Sequence, residues 1–306
     1  MTNVLVLGMT GMLGSVVYDW LRSDKSLRVS GTARDVEQAR KHSADGSLQK
    51  LDVERGETPK LEGVDWVVNC IGVIKPFIRD DNRAEVARAI QVNGQFPMRL
   101  ALAAEKTGTR VLQIATDCVY SGRDGCYDER AAHDATDVYG KTKSLGEVRS
   151  SNMMHLRCSI IGPEVKGFVS LLSWFQKQER GATLNGYRNH LWNGVTTLHF
   201  AKLCGGIIKE SSTLTHVQHI IPTGDITKAS LLRSFAREYH RSDLTIKDVD
   251  APTVIDRRLR TSNADANAAR WRAAGYGEPP TVETMVSELS EYQRSRQHAR
   301  VAQGAS

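Results

Sequence analysis

The chain has 306 residues, of which 40% are hydrophobic and 25% charged, a composition typical of a globular chain with one large domain or two. No apolar run approaches the roughly 20 residues of a transmembrane helix, and the first residues, "MTNVLVLGMTG", lack the features of a secretory signal, so we expect no membrane partner and a cytoplasmic location. The net charge of +6 is spread along the chain without a nucleic-acid-binding motif, which argues against a nucleic-acid partner and suits a small anionic ligand.

Strand and helix patterns alternate through the first half of the chain. Short apolar runs predict strands at 3–8, 26–34, 47–53, 64–72, 109–116 and 153–162. Helical patterns lie between them at 11–23, 35–43 and 79–106, and a further helix begins near Tyr139. Because strands that alternate with helices form parallel doubly wound sheets with helices on both faces, we predict a Rossmann-type α/β fold.

The pattern is looser in the second half of the chain. Helices are predicted at 168–179, 197–209, 227–239, 256–274 and 281–296, and short strands at 215–222 and 243–249. This half is therefore expected to form a smaller C-terminal α/β domain. The final ten residues, 297–306, are polar and terminal, and we expect a flexible tail there.

A glycine-rich loop follows the first strand and opens the first helix. In "VLVLGMTGMLGSVV", Gly8 permits a tight turn, Gly11 lets backbone N–H groups approach a pyrophosphate, and Gly14 lets helix and strand pack closely. The residues between these glycines, Thr10, Met12 and Leu13, complete the loop. The sequence therefore predicts a dinucleotide-binding site at this turn.

The end of the second strand favours one cofactor over the other. NAD sites usually carry an acidic residue there to bind the ribose 2′-hydroxyl, but this strand ends "GTARD" with Arg34, whose guanidinium suits a 2′-phosphate. Asp35 is interpreted as the N-cap of the next helix. "LDV" places Asp52, with Val53, near the adenine edge. We predict NADP(H), while NAD(H) stays open.

Tyr139 and Lys143 in "VYGKTK" lie four residues apart and so share one helix face. A free tyrosine has a pKa near 10, and a neighbouring ammonium lowers that pKa, which would make the phenol a general acid for a carbonyl oxygen. Thr116 ends the fifth strand, at the edge of the sheet where ligands bind, and could position that oxygen. These three residues are the predicted catalytic set.

With these residues, the sequence resembles the extended short-chain dehydrogenases/reductases, and specifically the dTDP-4-dehydrorhamnose reductase group. The similar motifs are "GMTGMLG", "NCIGVI", "QVNGQFP", "IATDCVYSG", "VYGKTKSLGE", "LRCSIIGPE" and "DRRLRTSN", followed by "GYGEPP". The resemblance implies reduction of a nucleotide-linked 4-keto-6-deoxy sugar with NADPH. It implies that Thr116 binds the sugar O4, Tyr139 protonates it, and Lys143 holds the nicotinamide ribose.

The resemblance also implies roles for residues on two other segments. It places Cys70, Ile71 and Gly72 on the cofactor, Val73 and Asp117 on the substrate, and Asn93 among the cofactor-site residues as a structural asparagine beneath the site. Some relatives bind magnesium through a glutamate just after the glycine loop. The corresponding segment of this chain, "GSVVYDW", contains no glutamate. Its five cysteines are scattered and form no CxxC pair, so we expect neither a metal nor a disulfide framework.

Cys118 departs from one related group and matches another. Related 4,6-dehydratases carry glutamate at this position, so dehydration is not expected. Epimerase-reductases of the GDP-fucose synthase type carry cysteine there, which with a distant histidine moves protons at C3 and C5. His190 could be that histidine, provided that the pKa of the Cys118 thiol is lowered. Cys118 could equally be a small packed residue.

The segment "GYRNHLWNG", residues 186–194, is the predicted substrate loop. Arg188 could pair with a diphosphate and Trp192 could stack on a base or sugar, and Asn189 and His190 lie between them. A folded surface turn would explain the same residues.

The domain boundaries follow from these assignments. Residues 1–162 are predicted to form the NADP-binding domain, with a later return segment around 190–222, and 163–296 to be mainly substrate-binding. The favoured function is an NADPH-dependent nucleotide-sugar reductase of deoxysugar and surface-polysaccharide biosynthesis. The epimerase-reductase and a non-catalytic NADP-binding regulatory subunit are the alternatives, and a homodimer is left open.

Overall fold

The structure, a computed structural model, describes residues 1–40, 47–164 and 169–304, with side chains described as far as residue 298. Its strands are β1 (Thr2–Leu7), β2 (Leu27–Ala33), β3 (Leu48–Lys50), β4 (Trp66–Asn69), β5 (Arg110–Ala115), β6 (Met153–Arg157), β7 (Ile160–Ile161), β8 (Thr183–Tyr187), β9 (Leu191–Trp192), β10 (Val195–Thr196), β11 (Val217–His219), β12 (Ile226–Thr227) and β13 (Thr245–Val249). Its α-helices are α1 (Met12–Arg22), α2 (Val36–Arg40), α3 (Arg83–Ala89), α4 (Phe96–Thr107), α5 (Val138–Leu145), α6 (Leu171–Gln176), α7 (Thr197–Lys209), α8 (Lys228–Glu238), α9 (Ala264–Ala273) and α10 (Val282–Gly304).

The central sheet has seven strands in the order β11-β6-β5-β4-β1-β2-β3, and every neighbouring pair is parallel. Six of them follow the strand order of a doubly wound dinucleotide-binding sheet, and β11 extends it beyond β6. The order of strand addition reverses between β1 and β4, and ligands bind such sheets in the crevice at that point. The predicted fold class is confirmed.

The sheet is covered on both faces, and β1 shows how its sequence achieves this. Val4 and Val6 belong to the apolar core that contains residues of α1 and α7, whereas Leu5 and Leu7 belong to the core that contains residues of α4. Alternate side chains of a strand point to opposite faces, so a strand buried on both faces must be apolar throughout.

The C-terminal half adds three small strand pairs beside the sheet. β13 pairs with β8 and β10 with β7, both in parallel, and β12 pairs with β9 in the antiparallel direction. In the same half, α7 packs on α1, and β11 joins the central sheet beside β6. The five-residue strand β8 was not predicted from the sequence. Among the described residues, no helix is both long and apolar enough to cross a membrane.

The helix predicted over 79–106 is wrong in two respects. It begins at Arg83, because the Asn82 side chain accepts hydrogen bonds from the N–H groups of the first turn. A six-residue π-helix, Ile90–Gln95, separates α3 from α4. The wider turn contains Asn93, whose side chain is hydrogen-bonded to the backbone of Val73.

The helix predicted over 256–274 is wrong in its first half. The Asp256 N–H donates to the Gly122 carbonyl at 2.8 Å, and the Leu259 N–H donates to the Asn193 side chain at 3.0 Å. These amides therefore have partners outside any helix. The helix starts only after Asn263, whose side chain caps α9.

Other predicted boundaries differ by smaller amounts. The helix predicted at 168–179 is α6, and α10 continues past the predicted end at 296 to Gly304. Parts of three predictions lie outside the described residues: 41–43 of the second helix, residue 168, and 305–306 of the expected tail.

Candidate active site

A cleft of about 670 Å³ opens beside the carboxyl ends of β1, β4 and β5. It is lined by many of the predicted site residues: Thr10, Gly11, Met12, Leu13, Arg34, Cys70, Ile71, Gly72, Val73, Thr116, Asp117, Cys118, Tyr139 and Lys143. An adjoining recess is lined by Gly8 and Val53. The fold therefore brings together residues that are spread over more than 130 positions of the chain.

The glycine loop has the geometry of a pyrophosphate-binding turn. Gly8 adopts a φ of +77°, in the left-handed region that favours glycine. A Cβ on Gly14 would lie 2.1 Å from the Gly8 carbonyl oxygen, so only glycine allows α1 to approach β1 this closely. Gly11 caps α1 without a side-chain hydrogen bond, and the first turn carries no acidic residue. Its N–H groups therefore suit an anionic ligand.

The far end of the cleft contains Arg34, as predicted, together with a partner that was not predicted. The guanidinium of Arg34 lies 3.2 Å from the carboxylate of Glu54. Asp35 caps α2 by accepting from the Gln38 N–H at 2.9 Å, so its predicted N-cap role is confirmed. Asp52 does not line the cleft as expected, because its carboxylate accepts from the Glu54 N–H at 3.1 Å and so caps the turn beside the recess.

Asn93 lies beneath the cleft and is 2% exposed. Its side-chain oxygen accepts from the Val73 N–H and its amide donates to the Val73 carbonyl, both at 2.9 Å. The amide also lies 3.3 Å from the Thr142 hydroxyl of α5. Asn93 thus connects the loop after β4 with the helix that carries Tyr139, in agreement with the structural role that the resemblance implied.

Thr116, Tyr139 and Lys143 meet between β5 and α5. Asp137 caps α5 by accepting from the Gly140 N–H at 2.8 Å, which fixes the first turn of the helix that contains Tyr139. The Thr116 hydroxyl donates to the Asp117 carboxylate at 3.2 Å and accepts from the Cys118 N–H at 3.1 Å, and both Thr116 and Tyr139 line the cleft. The Lys143 ammonium donates to the carbonyl of Ile114 in β5 at 2.9 Å.

The pKa shifts in this group are set first by burial. Burial raises the pKa of Tyr139 well above its usual range, and the nearby Thr116 hydroxyl offsets this only in part. Burial also lowers the pKa of Lys143 to about 8. The predicted net lowering of the Tyr139 pKa is wrong, because the loss of solvent outweighs any favourable charge nearby. The phenol is protonated at neutral pH, the state that a proton donor requires.

Cys118 also carries its proton at neutral pH. Burial, followed by the negative charge of Asp117, raises the pKa of the Cys118 thiol to about 12. The lowered pKa on which the proton-transfer hypothesis depends is therefore contradicted. His190, the expected partner, lies 3.0 Å from the Thr253 carbonyl through Nε2 and is not among the described residues that line the cleft.

The predicted substrate loop makes contacts within the protein. Arg188 pairs with Asp250 at 2.6 Å, and the Asn189 side chain makes two hydrogen bonds of 2.9 Å to the backbone of Ala251. Trp192 packs against the larger apolar core. None of these side chains lines the described cleft, so their contact with a substrate stays a prediction.

Two cations near the catalytic group were missed in the sequence. Lys75 pairs with Asp137, the cap of α5, at 2.7 Å. Arg257 donates to the Tyr120 carbonyl at 2.9 Å, and its charge lowers the pKa of Asp117 against the effect of burial. Arg257 lies in the segment that was expected to be helical, so the sequence offered only the motif "DRR" as a signal. Among the described residues, no group of three or more His, Cys, Asp or Glu could hold a metal.

The parallel sheet, the glycine turn and the Tyr–Lys pair define a protein of the extended short-chain dehydrogenase/reductase class. Within that class, the chain belongs to the family described as the RmlD substrate binding domain, which matches residues 1–294. The predicted family is confirmed.

Two relatives of known name match parts of the chain. The chain is 30% identical over 146 residues to methionine adenosyltransferase 2 subunit beta of Danio rerio, a match that covers 47% of this chain and 42% of that protein. It is 39% identical over 82 residues to dTDP-4-dehydrorhamnose reductase of Streptomyces griseus, 26% of each chain. Both matches thus span less than half the length of the relative.

A solved structure extends the similarity to nearly the whole fold. The dTDP-4-dehydrorhamnose reductase of Bacillus anthracis, in complex with NADP, has a TM-score of 0.68 with 15% identity, covering 94% of this chain and 98% of that chain. At this identity the similarity shows the shared fold.

Proposed function

We propose that this protein is an NADPH-dependent reductase of a nucleotide-linked 4-keto-6-deoxy sugar, in the synthesis of deoxysugars for surface polysaccharides. The observation that carries the proposal is the presence of Thr116, Tyr139 and Lys143 in the same cleft as the glycine turn. The relative from Streptomyces griseus and the structure from Bacillus anthracis, both named dTDP-4-dehydrorhamnose reductases, support this substrate class.

The residues of the cleft fit a nicotinamide dinucleotide. The N–H groups at the start of α1 suit the pyrophosphate, and Arg34 suits a 2′-phosphate. The Lys143 ammonium and the 70–73 loop would hold the nicotinamide half. When bound, the cofactor supplies the hydride for the carbonyl carbon.

In the proposed reaction, the protein positions a carbonyl oxygen and protonates it. The carbonyl oxygen would accept hydrogen bonds from Thr116 and Tyr139, which line the same cleft. As negative charge develops on this oxygen, Tyr139 donates its phenolic proton to it. The Lys143 ammonium, whose pKa is about 8 and which is therefore mostly charged at neutral pH, would then stabilise the phenolate that remains.

One experiment tests the reaction directly. The protein is mixed with NADPH and a panel of nucleotide-linked 4-keto-6-deoxy sugars in deuterated water, and NADPH absorbance and deuterium in the product are measured. We expect NADPH oxidation without deuterium at C3 or C5, and the Cys118→Ser variant should retain the reduction. If no sugar oxidises NADPH, the proposal fails. Deuterium at C3 or C5 that disappears in Cys118→Ser would instead support the epimerase-reductase.

A regulatory NADP-binding subunit is a second candidate, because the match to methionine adenosyltransferase 2 subunit beta covers nearly half of this chain. In that role the protein would bind NADP(H) without oxidising it in the presence of any sugar. Retention of cofactor binding in the same assay, with no turnover for the whole panel, would favour this candidate over the reductase.

A further inference from the structure

The cofactor end of the cleft contains a second arginine that the sequence did not single out. Arg88 lies on α3, more than 50 residues after Arg34, and both side chains line the cleft and its adjoining recess. A lone arginine at the end of β2 contacts a 2′-phosphate from one side. Two guanidinium groups from different elements could contact it from two sides.

One carboxylate oxygen joins the two arginines. Oε1 of Glu54 lies 3.2 Å from Nη1 of Arg34, 2.9 Å from Nε of Arg88 and 2.9 Å from Nη2 of Arg88. Two positive groups thus share a single negative one, so the cluster keeps a net charge of about +1. The two arginines line the cleft together with Asp35, whose carboxylate caps α2, while Glu54 lines only the adjoining recess.

The ion pairs in this cluster are weak enough to exchange for a ligand. The side chains of Arg34, Arg88 and Glu54 are 67%, 39% and 33% exposed. Exposed ion pairs contribute little to stability. A phosphate offers each guanidinium a bidentate partner with more negative charge than one carboxylate.

The position of Glu54 is fixed through its backbone. The Gln91 amide, on the π-helix that follows α3, donates to the Glu54 carbonyl, and Arg99 on α4 donates to the Val53 carbonyl at 3.1 Å. The turn that carries Glu54 is therefore held against the same helical segment as Arg88. This arrangement keeps both ends of the cluster at a constant separation.

We infer that Arg88 is a second residue that reads the 2′-phosphate, and that Glu54 is an internal anion that competes with this phosphate for the two arginines. The inference rests on the proposed use of NADP(H). Selectivity for a 2′-phosphorylated ligand then depends on Arg34 and Arg88 together. Competition from the Glu54 carboxylate reduces this selectivity.

The test measures binding of 2′,5′-ADP and of 5′-AMP, which differ only in the 2′-phosphate, by titration calorimetry. We expect Arg88→Ala to weaken 2′,5′-ADP at least about tenfold and to leave 5′-AMP unchanged. Arg83→Ala is the matched control, because it removes the same charge from the same helix at an exposed residue outside the cleft. Glu54→Gln should tighten 2′,5′-ADP severalfold, with little effect on 5′-AMP.

Each result bears on the inference. Equal loss of both ligands in Arg88→Ala would mean that Arg88 only holds the local structure, and unchanged 2′,5′-ADP binding would mean that it does not meet the phosphate. Weaker 2′,5′-ADP binding in Glu54→Gln would overturn the competing role. Failure of the wild type to bind 2′,5′-ADP would overturn the whole inference, whereas selective loss in Arg88→Ala without turnover of any sugar would leave it standing and refute only the proposed reaction.

Discussion

At the scale of single residues, the site depends on burial as much as on charge. Partial burial raises the pKa of Tyr139 and keeps its phenol protonated, and burial lowers the pKa of Lys143 to about 8, so that its ammonium is still mostly charged at pH 7. Thr116 caps the short turn that contains Cys118, and the Cys118 N–H donates to the Thr116 hydroxyl at 3.1 Å. The proposed roles of these residues can be separated by substitution.

Replacement of Tyr139 by phenylalanine removes the proposed proton donor and keeps the ring. We expect turnover to fall about 10²- to 10⁴-fold, the usual contribution of general acid catalysis, with cofactor affinity almost unchanged. Steady-state kinetics and NADPH titration measure the two quantities. Turnover equal to that of the wild type would remove Tyr139 from the proposed mechanism.

Lys143 gives the proposed reaction a pH dependence. Its pKa of about 8 means that the ammonium loses its proton as the pH rises through 8, and with it the charge that stabilises the phenolate. We expect kcat/KM to fall above about pH 8, measured as a pH–rate profile. Lys143→Met should be slow throughout and lack this limb, and a wild-type profile that stays flat to pH 9.5 would contradict the role.

At the scale of elements, glycines decide how closely α5 approaches the loop after β5. A Cβ on Gly140 would lie 2.3 Å from the Cys118 carbonyl oxygen and 2.4 Å from the Ala135 side chain. The Cys118 carbonyl belongs to the backbone, so a change of side-chain rotamer cannot relieve this clash. The distance between Tyr139 and Thr116 thus depends on a residue that takes no part in the chemistry.

Gly140→Ala tests this close contact. We expect it to lower the free energy of unfolding by about 1–3 kcal/mol, as overpacking does, and to reduce turnover by displacing Tyr139. Denaturant unfolding and kinetics provide the measurements. Gly277→Ala is the matched control, because nothing lies within 4 Å of its added Cβ. Equal stability of the two variants would show that α5 shifts without cost.

The central elements were predictable because their patterns are local. The apolar runs of β1 and β4, the glycines around Gly11 and the polar break after β5 each occur within about ten residues. The break in the helix at Ile90–Gln95 was not predictable, because it contains Asn93, whose hydrogen bonds reach Val73 some 20 residues away. The extended segment at 256–259 likewise depends on distant partners.

At the scale of the whole molecule, a buried polar network joins the two halves. Arg157 of β6 is 1% exposed and hydrogen-bonds to Tyr120, His219 and Glu147. His219 accepts from Arg157 at 2.7 Å through Nε2 and donates to the Arg260 carbonyl at 2.7 Å through Nδ1. A second proton on His219 would point at a guanidinium, so the ring must stay neutral.

His219 of this network and a second buried histidine, His155, make the stability of the protein sensitive to mild acid. Burial lowers the pKa of His219 and of His155 to about 4 from a usual value near 6.5. Between these values the unfolded chain binds more protons than the folded one, so stability falls as the pH drops from 6.5 towards 4. We expect a loss of up to about 1 kcal/mol per pH unit for each histidine.

Urea unfolding at several pH values between 7.5 and 5 measures this slope. His219→Gln should flatten the slope relative to the wild type, and His298→Gln, at an exposed position, should leave it unchanged. Wild-type stability that does not change from pH 7.5 to 5 would contradict the neutral, buried state of these rings.

The dinucleotide-binding fold and the glycine turn could be predicted from the sequence, and so could the residue types of the candidate site, because each occurs in a short local pattern. The protonation of the site residues depends on the tertiary structure. Burial raises the pKa of Tyr139, which was predicted to be lowered, and it also raises the pKa of the Cys118 thiol. The tertiary structure also placed Arg88 and Glu54 beside Arg34 and kept His190 out of the cleft. Burial and proximity arise from contacts between distant segments, and no window of sequence contains them.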